Sequence, residues 1–172
     1  MSFLLKRRLV GFILIWATLT LPVAVAGGAG GPDLRLAARD QHIKLPGGEQ
    51  LALASLIGTR PLILHFFSPA CRACRADNLL VREQGFAYVD RGVAVINVYL
   101  NATPAQLQAY RRVGTIGVAE LMDPSGRLAR QVGVQGTSQV LFVSATGLVR
   151  SSLTGPLTQQ AVLENLRGLL EF

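Results

Sequence analysis

Two cysteines that are two residues apart could carry redox chemistry in this sequence. Cys71 and Cys74 are the only cysteines among its 172 residues, so they can act only as one pair. Their spacing lets them close a small disulfide ring and open it again. We expect Cys71 at the start of a helix, where free backbone N–H groups and the helix dipole lower the pKa of a thiol and make its thiolate the attacking species. Cys74, deeper in the helix, would be the resolving thiol.

Positive charge beside the pair also favours the thiolate. Arg72 lies between the cysteines and Arg75 follows the second one, so each stabilises the anion if its side chain leans toward the sulfur. An inert structural disulfide is one alternative, although a bridge over so short a loop removes little entropy from the unfolded chain. A metal-binding module that uses the two thiolates as ligands is another. A protein that uses the pair only to dock a partner is the third.

The cysteines are placed by a strand before them and a helix after them. The run Leu62–Phe67 is almost continuously apolar, which is typical of a strand buried on both faces of a sheet. From Cys71 to about Gln84 the pattern predicts a helix, with Leu79 and Leu80 on its apolar side. The pair therefore lies between the end of a strand and the start of a helix.

The rest of the chain alternates strands and helices, which indicates an α/β fold. A second apolar run, Val93–Leu100, predicts another buried strand, and Thr103 followed by proline opens a helix to about Val113. Ordered structure should begin near Leu34. The other predicted elements are a hairpin of 43–45 and 50–53, a helical turn over 55–58, a strand over 121–123 closed by an Asp-Pro-Ser-Gly turn, a helical turn over 128–132, a hairpin of 139–144 and 148–152, and a capped helix over 158–171.

Residues 1–26 have the pattern of a targeting segment. Three basic residues precede an uncharged stretch over residues 9–26 that ends in Ala-Val-Ala, which predicts a signal peptide cleaved after Ala26. An uncleaved membrane anchor is the alternative, because a stretch of this length can just span a bilayer. In both cases we expect residues 27–33 to form a flexible glycine-rich lead-in and residues 34–172 to form one domain outside the cytoplasm.

Composition and charge exclude other classes of protein. The chain is 50% hydrophobic and 16% charged, which is too apolar for a disordered protein. Its net charge of +7 falls to +4 without the leader, because the leader holds three basic and no acidic residues. The remaining arginines are scattered without aromatic residues between them, so we expect a solvated surface and no nucleic-acid binding.

The segment Phe66–Asp77, Phe-Phe-Ser-Pro-Ala-Cys-Arg-Ala-Cys-Arg-Ala-Asp, resembles the active-site stretch of the exported TlpA/ResA/CcmG-like thiol-disulfide oxidoreductases, a redoxin family. The resemblance covers about residues 43–172, including the leading hairpin, the strand and helix over 93–113 and the turn over 123–126. It implies a thioredoxin-like fold, in which helices flank a central mixed sheet. It also implies an N-terminal β-hairpin extension and an inserted βα unit.

The same resemblance implies an activity. Family members reduce or oxidise protein disulfides in the periplasm or at the extracytoplasmic face of the inner membrane, commonly in cytochrome c maturation. The expected partners are periplasmic protein dithiols and disulfides, together with a recharging membrane electron carrier of the DsbD/CcdA type. No cofactor is expected, and the direction of electron flow stays open.

The chain departs from the family at the residue that faces the cysteine pair. Members normally carry a cis-proline there, and this sequence has Ser138, after Gly136 and Thr137. A cis bond before a residue other than proline costs about 2.5–4 kcal/mol, so we expect a trans or locally rearranged Thr137–Ser138 peptide and an altered substrate-docking edge. The family's proline is also thought to keep metals off the thiols, so Ser138 would permit metal or iron–sulfur binding, which is the alternative function.

Two further residues are candidates for supporting roles. His65 stands six residues before Cys71, where the resemblance predicts a buried Asp or Asn, and its place on the strand directs it beneath the site. It could accept a proton from Cys74, or it could be a neutral hydrogen-bonded core histidine. Asp77 matches a carboxylate that family members use to tune the thiols, or it only complements the helix dipole. His42 is expected at the surface.

Overall fold

One mixed sheet of seven strands organises the molecule. The computed structural model describes residues 32–112 and 118–171. The strands are β1 (His42–Lys44), β2 (Gln50–Ala52), β3 (Leu62–Phe67), β4 (Ala94–Leu100), β5 (Ala119–Asp123), β6 (Gln139–Val143) and β7 (Val149–Thr154). Their order across the sheet is β2-β1-β5-β4-β3-β6-β7.

Strand β3, which leads to the cysteine pair, lies inside the sheet. It runs parallel to β4, with His65 opposite Asn97, and antiparallel to β6, with His65 opposite Val140. All six of its residues are buried. The prediction that Leu62–Phe67 forms a strand buried on both faces is therefore confirmed.

Helices flank the sheet, and side-chain caps define where several of them begin. The helices are α1 (Leu34–Ala37), α2 (Cys74–Phe86), α3 (Pro104–Arg111), α4 (Arg127–Gln131) and α5 (Gln159–Leu170), with 3-10 turns at Leu53–Leu56 and Val89–Arg91. Thr103 and Gln106 form a reciprocal capping box at the start of α3, with Pro104 as its first residue. Thr158 caps α5, as predicted.

The sheet separates two large groups of apolar side chains. On one face Leu64 packs with residues of α1 and α4, including Leu34 and Leu128. On the other face Ile63 packs with residues of α2 and α5, including Val81 and Leu166. Because neighbouring residues of a strand point to opposite faces, β3 supplies both groups.

The predicted elements are found in the predicted order, including the β1–β2 hairpin, the turn after β5 and the β6–β7 hairpin. Helix α1 and the 3-10 turn Val89–Arg91 were not predicted. Two predictions about α2 were wrong. The helix begins at Cys74 and not at Cys71. In addition, Leu79 is 45% exposed, because other residues take the sheet-facing side of the helix: Cys74, Asp77, Asn78, Val81 and Gly85.

Some predictions fall on residues that the structure does not describe. Residues 1–31, with the predicted signal peptide or anchor and most of the lead-in, lie outside the described residues. So does Val113, the predicted end of α3, which the structure ends at Arg111. Within 32–112 and 118–171, no helix has both the length and the apolar character that a membrane span needs. Asp33, the last residue of the predicted lead-in, caps α1 and forms a bridge with Leu148.

Candidate active site

The two cysteines lie at the junction of β3 and α2 and form a disulfide. Cys71 is partly exposed, whereas only 1% of the Cys74 surface is exposed. The Cys74 backbone N–H, at the first residue of α2, donates a hydrogen bond of 3.2 Å to Cys71 Sγ. A free N–H of a helix start therefore points at this sulfur, which is the arrangement that stabilises a thiolate there.

Aromatic side chains pack against one side of the disulfide. Cys71 and Cys74 pack with Phe67, Tyr99 and Tyr110. The Phe67 ring centroid lies 5.3 Å from that of Tyr99 and 5.4 Å from that of Tyr110. Burial raises the pKa of Tyr110 to about 12, so this hydroxyl stays protonated at neutral pH. The aromatic side of the disulfide is therefore uncharged.

His65 lies fully buried in the interior, as predicted, and both its ring nitrogens have partners. Asn78 Nδ2 lies 3.2 Å from Nδ1, and Ser138 Oγ lies 2.5 Å from Nε2. An amide nitrogen can only donate, so Nδ1 accepts, and in the neutral ring the proton resides on Nε2 and is donated to Ser138. Burial lowers the pKa of His65 to about 3. This geometry favours the neutral core histidine, and the proton-acceptor role toward Cys74 stays a prediction.

The Thr137–Ser138 peptide bond is cis, so the expectation of a trans or rearranged bond was wrong. Local sequence gave only the cost of this geometry, whereas distant contacts fix Ser138 in place. Its hydroxyl is bound to His65, and its carbonyl accepts the Gly155 N–H at 2.8 Å. The side chain is 3% exposed, while Thr137 beside it is exposed. Ser138 thus joins the buried polar groups beneath the site.

Asp77 connects the active-site helix to the loop before α5. Its side chain is 7% exposed, and Oδ1 accepts the Leu157 N–H at 2.8 Å. Oδ2 lies so close to Gly155 that a side chain there would overlap it. The Asp77 carboxylate therefore binds the loop before α5, in addition to lying in the first turn of α2. Arg72, by contrast, is exposed.

Two buried asparagines belong to the same polar group and were not predicted. Asn78 Nδ2 donates to Asn97 Oδ1 at 2.9 Å as well as to His65. Both asparagines are at least 98% buried. The available signals were a polar residue one turn after Cys74 on the helix and another inside the apolar run of β4.

The alternative of a metal site needs more ligands than the cysteine pair. Among the described residues there is no group of three or more His, Cys, Asp or Glu side chains that could hold a metal ion. His65 Nε2, the ring nitrogen nearest Ser138, is engaged by the serine hydroxyl. Ser138 therefore contributes to a protein hydrogen bond in this structure.

Known proteins resemble this chain in sequence. Residues 31–152 match the model of the AhpC/TSA family. The thiol:disulfide interchange protein DsbE of Tatumella citrea is 25% identical over 125 residues, 71% of this chain and 64% of that protein. The thiol:disulfide interchange protein HelX of Rhodobacter capsulatus is 24% identical over 111 residues, 63% of this chain and 60% of that protein. The chain thus spans a little under two thirds of these relatives.

Solved structures confirm the thioredoxin-like fold. A secreted Mycobacterium tuberculosis disulfide oxidoreductase homologous to E. coli DsbE aligns with a TM-score of 0.65 at 19% identity, covering 78% of this chain and 98% of its own. A thiol:disulfide interchange protein of the thioredoxin family from Chlorobium tepidum gives 0.65 at 18% identity, with coverages of 82% and 95%.

Proposed function

Because this chain belongs to the AhpC/TSA family, we propose that it is a thiol-disulfide oxidoreductase that exchanges disulfides with protein partners outside the cytoplasm. The observation that carries the proposal is the Cys71–Cys74 disulfide after β3, in which Cys71 is partly exposed and Cys74 is buried. A pair with this difference in exposure can react with a partner through one sulfur and release it through the other.

The exchange balances in electrons and protons. In the reduced protein, Cys71 Sγ attacks a partner disulfide as a thiolate, forms a mixed disulfide and expels one partner sulfur, which takes up a proton. Cys74 then loses its proton and attacks Cys71 Sγ. The Cys71–Cys74 bond forms, the second partner sulfur leaves, and two electrons have passed to the partner. The same steps in reverse oxidise a partner dithiol.

The residues around the pair stabilise negative charge on Cys71 Sγ. The Cys74 N–H stabilises negative charge on Cys71 Sγ. Arg72 lies between the two cysteines in the chain and is exposed, so its positive charge favours the same thiolate. Asp77 binds the Leu157 N–H, and the Ser138 hydroxyl is hydrogen-bonded to His65. These hydrogen bonds hold the loop before α5 and the segment that faces the cysteine pair in position.

The leader and the names of the relatives support the proposed export and partners. The charged start and apolar stretch of residues 1–26 support secretion to the periplasm or retention at the extracytoplasmic face. The names of the relatives, thiol:disulfide interchange proteins, support protein dithiols and disulfides as substrates. We place the protein in cytochrome c maturation, with recharging by a membrane electron carrier of the DsbD/CcdA type. The thiols themselves carry the electrons.

The first prediction is that Cys74→Ser traps partners. Without the resolving thiol, Cys71 keeps its partner as a mixed disulfide, which runs as a larger species on a gel without reductant and disappears when reductant is added. Cys71→Ser is the matched control and forms no adducts, because Cys74 is buried. Equal adduct formation by both variants, or none by Cys74→Ser after exposure to periplasmic proteins, would contradict the proposed exchange.

A redox titration of the purified protein then gives the direction of electron flow. Free thiols are counted after acid trapping in dithiothreitol and glutathione buffers. A two-electron transition at or below about −250 mV marks a reductant, and one near about −120 mV marks a disulfide donor. Failure of the two thiols to titrate as a pair would count against the exchange reaction.

A further inference from the structure

A stripe of arginines and exposed apolar side chains runs along α2, away from the cysteine pair. We call it the basic-apolar stripe. Its members within the helix are three and four residues apart, which places them on one face. They are Arg75, Leu79, Arg82 and Phe86, with Arg72 before the helix and Val89 after it. The buried face of α2, which packs on the sheet, lies beside this one.

The apolar part of the stripe is unusually exposed for this molecule. Five large hydrophobic residues are exposed among those the structure describes, and three of them belong to the stripe. They are Leu79 at 45%, Phe86 at 40% and Val89 at 46%. Single exposed apolar residues are common on proteins, but three of them on one stripe are a feature that calls for a partner. Phe86 and Val89 also line a shallow groove at the end of the stripe.

All three charged members of the stripe are arginines, whereas Asp90 lines the groove at the far end together with Phe86 and Val89. Arg72 and Arg75 are exposed, and Arg75 and Arg82 both act electrostatically on the Tyr110 hydroxyl, which places them between α2 and α3. Of the acidic residues on α2, Asp77 is buried and bonded to the loop before α5. Glu83 lies on the neighbouring helix face. The half of the stripe nearest the disulfide therefore holds positive charge alone.

We propose that the basic-apolar stripe is the docking surface for protein substrates whose reactive cysteine is flanked by acidic and apolar side chains. The proposal rests on the exchange function, because a partner that reacts with Cys71 comes within reach of the residues next to it. Arg72 directly follows Cys71, so the stripe is continuous with the reactive sulfur. The thirteen residues of α2 extend about 20 Å, which an extended partner segment of about six residues would cover.

Such a surface acts through both of its components. Opposite charge raises the rate of encounter by 10-fold or more at low ionic strength, and this gain falls as salt screens the charges. The leucine, phenylalanine and valine side chains bury apolar area of the partner, a contribution that salt does not remove. A substrate with the opposite charge pattern is repelled at the same step.

Model peptides test this directly. Three eight-residue peptides each carry one cysteine in a mixed disulfide with mercaptoethanol, flanked by Glu and Leu, by Lys and Leu, or by Glu and Ser. The rate constant for reduction by the purified dithiol protein is divided by that for bis(2-hydroxyethyl) disulfide, a neutral small substrate. We expect the Glu/Leu peptide to react about 10-fold faster than the Lys/Leu peptide at low salt, with this ratio falling toward one at high salt. The Glu/Ser peptide should keep the salt dependence and react more slowly than Glu/Leu.

Matched variants assign the effect to the stripe. Arg82→Glu should reduce the ratio of Glu/Leu to Lys/Leu rates, and Leu79→Ser should reduce the ratio of Glu/Leu to Glu/Ser rates. Arg39→Glu and Leu36→Ser alter exposed residues near α1, far from the stripe, and should leave both ratios at the wild-type value.

The outcomes separate the two proposals. Equal normalised rates for the acidic and basic peptides at all salt concentrations, or the same change in the stripe variants and the α1 variants, would overturn the docking proposal while leaving disulfide exchange in place. No reaction with the neutral small disulfide would instead mean that the exchange function itself fails.

Discussion

His65 is a titratable residue inside the core. Its imidazole is completely buried, stacks on Phe67 with ring centroids 4.6 Å apart, and binds Asn78 and Ser138 through its two nitrogens. Charging it would place an ion in the core and would set the Nδ1–H against the Asn78 amide N–H, so that the hydrogen bond between them would be lost. The neutral form is therefore the one that the folded protein stabilises.

This burial predicts a pH dependence of stability. The pKa of His65 falls from 6.5 to about 3 on folding, so below pH 6.5 the unfolded chain binds a proton that the folded protein does not. The free energy of unfolding should therefore fall as pH falls from about 6.5 toward 4, by up to about 1.4 kcal/mol per pH unit from this group. Urea unfolding at pH 7.5, 6 and 4.5 measures it.

The comparison that isolates His65 uses the other histidine. His65→Asn should show a shallower loss of stability between pH 6 and 4.5 than the wild type. His42→Asn, which changes an exposed residue of β1, should keep the wild-type slope. Identical slopes in all three proteins would contradict a neutral buried His65.

At the scale of elements, the active-site helix is tied to two loops by polar groups. Asp77 of α2 accepts the Leu157 N–H, and the Gly155 N–H donates to the Ser138 carbonyl. The loop before α5 thus contacts both the helix that carries Cys74 and the segment that faces the pair. These contacts leave no room for a side chain at residue 155, and the packing there depends on the absence of a Cβ.

Two glycine substitutions should shift stability in opposite directions. Gly155→Ala places a methyl group against the Asp77 carboxylate and should destabilise the fold by about 1–3 kcal/mol. Gly168→Ala lies within α5 with open space around the added methyl group and should stabilise the protein by about 0.5–1 kcal/mol. Urea midpoints of both variants measure this, and a shift in the same direction for the two would contradict it.

At the scale of the whole molecule, the sheet divides the core. Ile43 of β1 packs with the residues of α1 and α4, whereas Ile63 of β3 packs with those of α2 and α5. In the sheet, β5 and β4 lie between these two strands, a separation of about 14 Å at the usual strand spacing. At this distance the Ile43 and Ile63 side chains do not touch. The two apolar groups should therefore contribute independently to the free energy of unfolding.

Additivity of two conservative substitutions tests this division. Ile43→Val and Ile63→Val should each destabilise the protein by about 0.5–1.5 kcal/mol, and the double variant should equal their sum to within about 0.5 kcal/mol. Denaturant unfolding of the four proteins gives the coupling free energy. A coupling above about 1 kcal/mol would show that the two groups act as one.

The sequence alone was enough to predict most of the elements, their order and the place of the cysteine pair. The apolar run Leu62–Phe67, the threonine caps at Thr103 and Thr158, and the hairpin turns all depend on residues a few positions apart. Backbone preferences and hydrogen bonds at that range act before any tertiary contact forms. The spacing of Cys71 and Cys74 predicted the exchange chemistry, and the resemblance of Phe66–Asp77 to a known active-site stretch added the fold and the expected partners.

Tertiary structure alone decided which distant side chains meet at the site. Ser138 binds His65 across 73 residues, and Asp77 binds the Leu157 backbone across 80. The sequence predicted neither pairing, and it gave the wrong geometry for the Thr137–Ser138 peptide and the wrong face for Leu79. Strand order and helix packing bring these groups together, and the free energy of such contacts depends on partners that local sequence does not contain.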